Sequence, residues 1–555
     1  MKGFGEIDKP KKRRKSQFVK KYDDNQILNE AIKYHCEGNI FQASKLYKFL
    51  IDEGSKNSIV FTNYGLILLN SGNKRDSEIL IRKAIELNPK DSIAYSNLGG
   101  ILKDFGKSKE AEFFTRKAIE LNPKDSIAHS NLGGILQDLG KLQEAEFFTR
   151  KAIELNPKDS IAHSNLGGIL QDLGKLQEAE IFTRKAIELN PNFANAYSNL
   201  GIISRKLDKL KEAEIFTRKA IELNPNYADA YSNLGGIFRE LGKLKEAELI
   251  THKAIEINPN LANAYSNLGL ISYELGKFKE AEIFTRKVIE FNPNFAKAYY
   301  YLSKIETFTR EENWKKYLFT EDILENQKDI DKIDIYFARA NILERQSNYI
   351  QSAKMLKEAN IINRKLYGSN YIRIKNQLKY YHKITQKSKS NQSTYENQLK
   401  SIFIVGLPRS GKTITESILS SNNQLLKCGE DKALSIAVDK YLNQTGTSNR
   451  QNLYQIYIEN ISRKISHESY ICSTNPSNYL FTGIISSQIP NSKVIYCFRN
   501  PLDHIKEMYS HNINNKFTFR TSIIESAKIL FLINDLMENY KRIFNSKIYF
   551  LNYDK

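Results

Sequence analysis

The chain has 555 residues, 41% of them hydrophobic, which is enough for two or three domains with substantial cores. Its 83 lysines and arginines against 63 acidic residues give a net charge of +20, which favours anionic partners. The four cysteines show no CxxC or Cys/His spacing, so neither a zinc site nor a disulfide-built domain is expected. Without a signal-peptide core or an apolar run of about 18 residues, the chain is predicted to be cytoplasmic and to span no membrane.

Residues 1–22 form a basic segment that contains the run Lys11–Lys15. Such a segment has too little apolar surface to build a core, and we predict a solvated, disordered tail. Contact of this tail with an anionic surface is the alternative.

An internal repeat of 34 residues occupies residues 23–294, in eight windows that share one phase. A ninth copy starts at Phe295 and loses the pattern after Tyr301. The windows begin at Asp23, Asn57, Asp91, Asp125, Asp159, Phe193, Tyr227 and Leu261.

Each copy predicts a pair of close-packed helices. In the fourth window, Leu132 and Leu136 share one face of a first helix, and Gly140 ends it. Ala145 and Ala152 line the inner face of a second helix, and an Asn-Pro pair closes the unit. This pattern resembles the tetratricopeptide repeat (TPR), which implies an all-α superhelix with a concave groove.

An asparagine occupies the seventh position of every window. The ladder resembles the TPR array of protein O-GlcNAc transferases, where side-chain amides bind a peptide backbone, and an amide can both donate and accept. The resemblance implies a polypeptide in the groove; an inert asparagine copied by recent duplication is the alternative. The partner-binding candidates are Asn63, Asn97, Asn131, Asn165, Asn199, Asn233 and Asn267.

Residues 295–390 are interpreted as degenerate TPR or capping helices, because Ile333–Gly368 still reads as a helical pair. The polar stretch at 391–400 is predicted to be a linker. A second domain is expected at 401–555.

This second domain opens with a buried-strand pattern at Ser401–Val405, followed by a glycine loop at Gly406–Thr413 and a helix. Strand, glycine loop and helix together point backbone N–H groups at a phosphate. The loop fits the nucleotide-triphosphate P-loop pattern. A Mg²⁺-dependent NTPase needs an acidic residue after a later strand, but the strand at Lys493–Phe498 runs into Arg499.

Four stretches resemble PAPS-dependent sulfotransferases, in particular the TPR-linked kind related to tyrosylprotein sulfotransferases. PAPS is 3′-phosphoadenosine-5′-phosphosulfate. The resemblance implies a multidomain protein with a TPR superhelix followed by an α/β P-loop-like domain with a parallel sheet. The stretches are FIVGLPRSGKTITESILSSN from Phe403, CGED from Cys428, STNPSNYLFTGII from Ser473 and KVIYCFRNPLDHIKEMYSHN from Lys493.

The resemblance also implies residue roles, with PAPS as co-substrate and no metal. Glu430 would be the general base, with a plain surface carboxylate as the alternative. Arg499 would bind the 3′-phosphate, with a structural salt bridge as the alternative. The 5′-phosphosulfate would be held by Arg409, Ser410, Gly411, Lys412 and Thr413.

Three departures from the family pattern weigh against activity. Thr474 replaces a lysine that stabilises charge on the transferred group, and Glu507 replaces a serine and is expected to repel the 3′-phosphate. The third is the end of the sequence at Lys555, before the family's last helices and basic loop, which suggests a truncated domain. Lys412, which stands where the family has Thr or Ser, is a catalytic candidate because it could replace the missing lysine.

Three functions remain open from the sequence. The first is a sulfotransferase whose TPR arm captures the acceptor, a polypeptide, with tyrosine as one candidate hydroxyl, or a carbohydrate. The second is a TPR scaffold with a relict domain, and the third is a P-loop nucleotide-binding protein. An anionic nucleotide is the expected ligand of the C-terminal domain, and nucleic acid is disfavoured as a partner.

Overall fold

The computed structural model describes residues 24–305, 313–325, 327–387, 400–422, 424–444, 451–461, 470–513 and 515–555. The basic tail at 1–22 and the linker, apart from Lys400, lie outside these residues. The chain forms two compact units, Met1–Ile271 and Ser272–Lys555. None of the helices described is both long and apolar enough to cross a membrane.

The first unit consists of helices in the 34-residue rhythm of the repeat. They are α1 (Asp24–Cys36), α2 (Ile40–Asp52), α3 (Ser58–Asn70), α4 (Lys74–Leu87), α5 (Ser92–Asp104), α6 (Ser108–Leu121), α7 (Ser126–Asp138), α8 (Leu142–Leu155), α9 (Ser160–Asp172), α10 (Leu176–Leu189), α11 (Ala194–Lys206), α12 (Leu210–Leu223), α13 (Ala228–Glu240), α14 (Leu244–Ile257) and α15 (Ala262–Glu274).

The pair α7/α8 shows why the repeat folds this way. Gly140 has φ +73° after the end of α7, and the Lys141 N–H donates to Leu136 O at 2.9 Å, as in a glycine-terminated helix. Gly133 faces buried Thr149: a Cβ on the glycine would lie 2.0 Å from Thr149 Oγ1. A side chain at this position would therefore push the two helices apart.

The second unit begins with helices and continues into an α/β domain. The predicted pair at Ile333–Gly368 is present as α19 and α20. The helices are α16 (Phe278–Phe291), α17 (Ala296–Leu302), α18 (Asn313–Leu318), α19 (Asp329–Arg345), α20 (Tyr349–Tyr367), α21 (Tyr371–Lys387), α22 (Lys412–Leu419), α23 (Ala433–Leu442), α24 (Leu453–Ile461), α25 (Thr482–Gln488), α26 (Pro501–Ser510) and α27 (Ile523–Ile543).

A five-stranded parallel sheet forms the centre of the α/β domain, with strand order β2-β3-β1-β4-β5. Its three inner strands are largely buried, as in parallel sheets covered by helices, whereas the two edge strands are partly exposed. The fold class predicted from the sequence is confirmed. The strands are β1 (Lys400–Val405), β2 (Leu425–Gly429), β3 (Tyr470–Ser473), β4 (Ser492–Phe498) and β5 (Ile548–Asn552).

The central strand β1 pairs with β3 on one side and β4 on the other, with Phe403 opposite Ser473 and Val405 opposite Tyr496. The carboxyl ends of parallel strands lie at one edge of a sheet, and ligands of open α/β sheets bind there. The glycine loop after β1 therefore lies between the loops that follow its neighbours.

Candidate functional site

A cavity of about 380 Å³ lies at the carboxyl edge of the sheet, within the size range of ligand pockets. Residues from the loops or helices that follow all five strands line this cavity. The lining includes Arg409, Gly411, Lys412 and Thr413 after β1, Glu430 after β2, Thr474 and Pro476 after β3, Arg499 and Glu507 after β4, and Tyr553 after β5.

The loop after β1 is shaped by residues with positive φ: +152° at Gly406, +68° at Arg409 and +92° at Gly411. A Cβ on Gly406 would come within 2.6 Å of the Cys497 carbonyl oxygen, so only glycine fits this position. Gly411 caps α22, whose first residue is Lys412. The loop thus presents the N-terminus of α22 at the cavity, and the N–H groups of such a terminus bind anions.

Lys412 is buried, and its Nζ donates hydrogen bonds to the carbonyl oxygens of Gly406 at 2.8 Å and Leu407 at 3.1 Å. Burial lowers the pKa of Lys412 to about 8, although the Glu430 carboxylate opposes the shift. Lys412 therefore fixes the backbone of the glycine loop through these two hydrogen bonds and places its ammonium group beneath the loop.

Arg409 pairs with Glu507, with Nη2 3.3 Å from Oε2, and the same nitrogen lies 3.3 Å from His511 Nε2. Burial and the Arg409 charge lower the pKa of His511 to about 4. Glu507 was expected from the sequence to repel the 3′-phosphate unless Lys506 or Ser510 took over. In the structure its carboxylate pairs with Arg409 of the loop. This pairing also reduces the positive charge that Arg409 presents to a ligand.

Glu430 follows the last residue of β2 with its side chain exposed at the cavity. The amide of Asn475 fixes the backbone there by donating to the Glu430 and Asp431 carbonyl oxygens at 3.0 and 2.9 Å. Glu430 is thus held on the cavity wall with its carboxylate accessible to a ligand.

Arg499 follows β4, and its Nε lies 3.4 Å from Asp554 Oδ1 without hydrogen-bond geometry. Its guanidinium carbon lies 5.7 Å from the centre of the Tyr553 ring. Arg499 thus forms an ion pair with Asp554, as the structural alternative expected, while its Nε has no hydrogen-bond partner among the residues described.

Two predicted loop residues differ in what they present to the cavity. Thr413 is exposed and lines it. Ser410 is fully buried behind the loop, where its Oγ would lie 2.6 Å from a Cβ on Gly406 and has no hydrogen-bond partner among the residues described. Ser410 can therefore reach a ligand through its backbone, whereas Thr413 can also use its hydroxyl.

Three residues that the sequence analysis did not single out also shape the site. Buried Glu416 accepts a hydrogen bond from the Gly429 N–H at 2.9 Å, and burial raises the pKa of its carboxyl. His504 contacts Pro408 O at 2.8 Å through Nε2, and burial lowers its pKa to about 4. Tyr553 packs against Gly411. The spacing of Lys412 and Glu416, one helical turn apart, is a signal that could have pointed to Glu416.

The asparagine ladder of the first unit forms hydrogen bonds between consecutive repeats. From the fourth repeat window on, each amide nitrogen donates to the serine 35 residues earlier, and the Nδ2–Oγ distances run from 3.1 to 3.4 Å. Asn63 donates to Tyr47 Oη instead, and Asn97 Nδ2 is buried without a partner in the described part of the chain. The bonded pairs are Asn131–Ser96, Asn165–Ser130, Asn199–Ser164, Asn233–Ser198 and Asn267–Ser232.

The residues of the cavity suit a phosphorylated and sulfated nucleotide. A helix N-terminus and three cationic side chains border it, and the Arg499 Nε lacks a hydrogen-bond partner among the described residues. Across the ranges described, no group of three or more His, Cys, Asp or Glu residues could hold a metal ion.

Comparison with protein families accounts for both parts of the chain. Residues 401–555 match the model of the sulfotransferase family. Tetratricopeptide-repeat models match residues 60–91, 80–113, 126–159, 160–193, 182–215, 216–248 and 262–295. The chain therefore consists of tetratricopeptide repeats followed by a domain of the sulfotransferase family.

Individual relatives cover parts of this chain. An uncharacterized protein of Aquifex aeolicus is 28% identical over 175 residues, which span 28% of this chain and 23% of the relative. YrrB, described as a TPR protein with an unusual peptide-binding site, is 28% identical over 33% of this chain and 95% of its own, with a TM-score of 0.26.

The Cut9–Hcn1 structure is 16% identical over 51% of this chain and 56% of its own, with a TM-score of 0.42. A tetratricopeptide repeat protein of Parabacteroides merdae is 19% identical over 45% of this chain and 98% of its own, with a TM-score of 0.38.

Proposed function

We propose that this protein transfers the sulfuryl group of PAPS to a hydroxyl of an acceptor that its TPR groove captures. The acceptor is a polypeptide, with tyrosine among the candidate hydroxyls, or a carbohydrate. The observation that carries the proposal is the meeting of the glycine loop, Glu430 and Arg499 in one cavity of a sulfotransferase-family domain.

The proposed chemistry needs a base for the acceptor and positive charge for the departing phosphate. Glu430 would take the proton as the acceptor oxygen bonds to sulfur. As the bond between sulfur and the bridging oxygen breaks, the N-terminus of α22 and Lys412 would stabilise the charge left on the 5′-phosphate. Arg499 would hold the 3′-phosphate. The products are a sulfate ester and PAP, the desulfated nucleotide.

Lys412 has two features that support this role. It lies under the loop that would surround the phosphosulfate, and its hydrogen bonds go to carbonyl groups rather than to a carboxylate. An anion in the loop could therefore attract Nζ without having to break an ion pair. This supports Lys412 as the replacement for the lysine that Thr474 displaces.

The test uses the full chain with ³⁵S-labelled PAPS and a panel of peptides that contain tyrosine, serine or threonine. Transfer of label to peptide supports the proposal, and Glu430→Gln should reduce the rate about 10²- to 10⁴-fold while PAP still binds. The control is Asp535→Asn, an exposed carboxylate on α27, which should leave the rate unchanged.

Calorimetric titration with PAP and with Mg²⁺–ATP or Mg²⁺–GTP separates the alternatives. PAP binding without label transfer to any hydroxyl acceptor, carbohydrates included, would favour a relict domain beside a TPR scaffold. Tight Mg²⁺-dependent ATP or GTP binding without PAP binding would favour a P-loop nucleotide-binding protein. If neither PAP nor Mg²⁺–ATP nor Mg²⁺–GTP binds, the function that remains is that of a TPR scaffold.

A further inference from the structure

A second cavity, of about 750 Å³, lies within the second unit. It is lined by α17, α19 and α20 together with the segment that follows α26. Ile513 lines this cavity and the catalytic cavity as well. Among the residues described, Ile513 is thus the side chain that the two cavities share.

The second cavity is rich in hydrogen-bond acceptors. Asp331 and Asp334 lie three residues apart on α19, so both carboxylates line the same side. Asn363 on α20 is 1% exposed, and its Oδ1 has no hydrogen-bond partner among the residues described. A buried acceptor left without a donor costs free energy, which a ligand donor would recover only where a shift of the cavity wall exposes Oδ1.

The wall of this cavity is held in place by the segment that leads to the catalytic cavity. Asn512 donates through Nδ2 to Asp334 Oδ1 at 2.8 Å and through its backbone N–H to the Tyr300 hydroxyl at 3.2 Å. Buried Arg520 donates to Ile513 O at 2.9 Å. The Asp334 carboxylate and the shared wall are therefore positioned before any ligand arrives.

The charges in the two cavities differ. Three cations and two carboxylates border the first cavity, whereas the second cavity has two carboxylates and one cation, Lys297. Burial raises the pKa of both Asp331 and Asp334, although Lys297 opposes the shift at Asp334. Both carboxylates thus lie where an additional positive charge would stabilise them.

Two aromatic rings of the cavity are already covered. Lys304 Nζ lies 4.2 Å from the centre of the Tyr300 ring, and Lys297 Nζ lies 5.8 Å from that of Tyr301. A sugar ring would compete with these lysines for the aromatic faces. The lysines thus leave the faces of Tyr300 and Tyr301 less available for stacking, whereas Tyr367, which is 39% exposed, also lines the cavity.

We infer that the second cavity binds a basic side chain of a polypeptide acceptor, one whose hydroxyl lies at Glu430 in the adjoining cavity. The inference rests on the proposed function for the fate of the hydroxyl, but not for the binding itself. A guanidinium suits the site best, because its planar fork can donate to both oxygens of a carboxylate or to two neighbouring acceptors.

The test compares peptides that differ in one group. A panel of otherwise neutral peptides carries one tyrosine and one arginine at increasing separations, and each has a twin with the uncharged isostere citrulline. Affinity for the full chain is measured by fluorescence anisotropy without PAPS. At the optimal separation, we expect the arginine peptide to bind about tenfold tighter or more.

The variant Asp331→Asn/Asp334→Asn should abolish this preference. Asp329→Asn, on the same helix but outside the cavity lining, should keep it. Equal affinity of wild type for both twins would overturn the inference, and this comparison needs no variant to fold. A preference that survives in the double variant, or displacement of the arginine peptide by a neutral oligosaccharide such as maltotriose, would also overturn it.

Turnover is measured separately by adding labelled PAPS to the same peptides. An arginine preference without label transfer to these peptides would leave this inference standing and would count against tyrosine as the acceptor hydroxyl. The proposed function fails only if no hydroxyl acceptor, carbohydrates included, receives label. Label transfer without an arginine preference would support the proposed function and overturn this inference.

Discussion

The ring of Tyr553 lies against Gly411, so closely that a Cβ on the glycine would come 2.1 Å from Tyr553 Cδ2. The Tyr553 backbone is fixed by a 2.8 Å hydrogen bond from its N–H to Phe498 O. Tyr553, which follows β5, thus supports Gly411, the glycine that caps α22 after β1. The shape of the anion-binding loop therefore depends on a contact across the sheet edge.

Gly411→Ala should weaken PAP binding about 10- to 100-fold, because the methyl group displaces the loop or the ring. It also adds the strain of a left-handed alanine, about 1–2 kcal/mol. Calorimetric titration and thermal melting of the full chain measure both effects. Gly368→Ala is the matched control, since that glycine has φ +66° and no atom within 4 Å of a new Cβ. It should melt lower but bind PAP normally; equal PAP affinity in both variants would contradict the prediction.

Lys412 should make PAP binding depend on pH. Its pKa in the folded chain is about 8, because burial disfavours the charged form, against an ordinary value of 10.5. Above pH 8 the free site loses its charge, so PAP affinity should fall by up to about tenfold per pH unit, with uptake of one proton on binding. Calorimetry in buffers of different ionisation enthalpy counts that proton.

The stability contribution of Lys412 has the opposite sign. Between pH 8 and 10.5 the folded state holds fewer protons on this residue than the unfolded state, so its contribution to stability rises with pH. Below pH 8 both states are protonated and the contribution is constant. Lys412→Arg stays charged throughout and is the control: an unchanged pH profile in that variant would assign the titration to another group.

Glu416 should position Glu430 through the backbone of Gly429. Glu416→Ala removes the acceptor of the Gly429 N–H and leaves a part-buried donor unpaired, at a cost of about 1–3 kcal/mol. Hydrogen exchange at the Gly429 amide should then accelerate, and label transfer should slow with little change in PAP affinity. Glu416→Gln keeps an acceptor oxygen and should restore most of the protection. Equal exchange in all three proteins would show that the contact does not hold the segment.

The asparagine ladder can be tested with two triple variants. Asn131→Ala/Asn165→Ala/Asn199→Ala removes the amides and their bonds to the preceding serines. Ser96→Ala/Ser130→Ala/Ser164→Ala removes the same bonds but keeps the amides. Each lost bond should cost about 0.5–1.5 kcal/mol, so both proteins should melt lower by similar amounts.

Binding separates the two ladder variants. The probe is an unfolded polypeptide, reduced and carboxymethylated lactalbumin, measured by fluorescence anisotropy. If the amides bind a peptide backbone, the asparagine variant should lose binding and the serine variant should retain it. Equal affinity of wild type and both variants would assign the ladder to structure alone.

Local patterns in the chain were sufficient to predict several features. The 34-residue period marked the repeats and their phase, and the positive φ of Gly140 follows from its place at a helix end. The strand at Ser401–Val405 and the glycine loop at Gly406–Thr413 could be predicted because the apolar run and the glycine spacing lie within a few neighbouring residues. Arg499 could be placed at a strand end because the apolar run Lys493–Phe498 leads directly into it, whereas Glu430 was expected only from the family resemblance of CGED.

Contacts between two residues could not be predicted where the residues lie far apart in the sequence. Glu507 was expected to face a phosphate, yet it pairs with Arg409, which lies 98 residues earlier. The serines that bond the asparagine ladder lie 35 residues earlier, in the preceding repeat. No short-range periodicity encodes such pairs.

The sequence by itself determined the repeat array, the parallel α/β domain and the residues that follow its strands, because hydrophobic period and glycine placement act over a few residues. Only the tertiary structure decided which charges neutralise each other, that Tyr553 supports Gly411, and that an acidic cavity shares Ile513 with the cavity at the sheet edge. Those relationships depend on how distant segments pack, and burial then sets the charge state of groups such as Lys412.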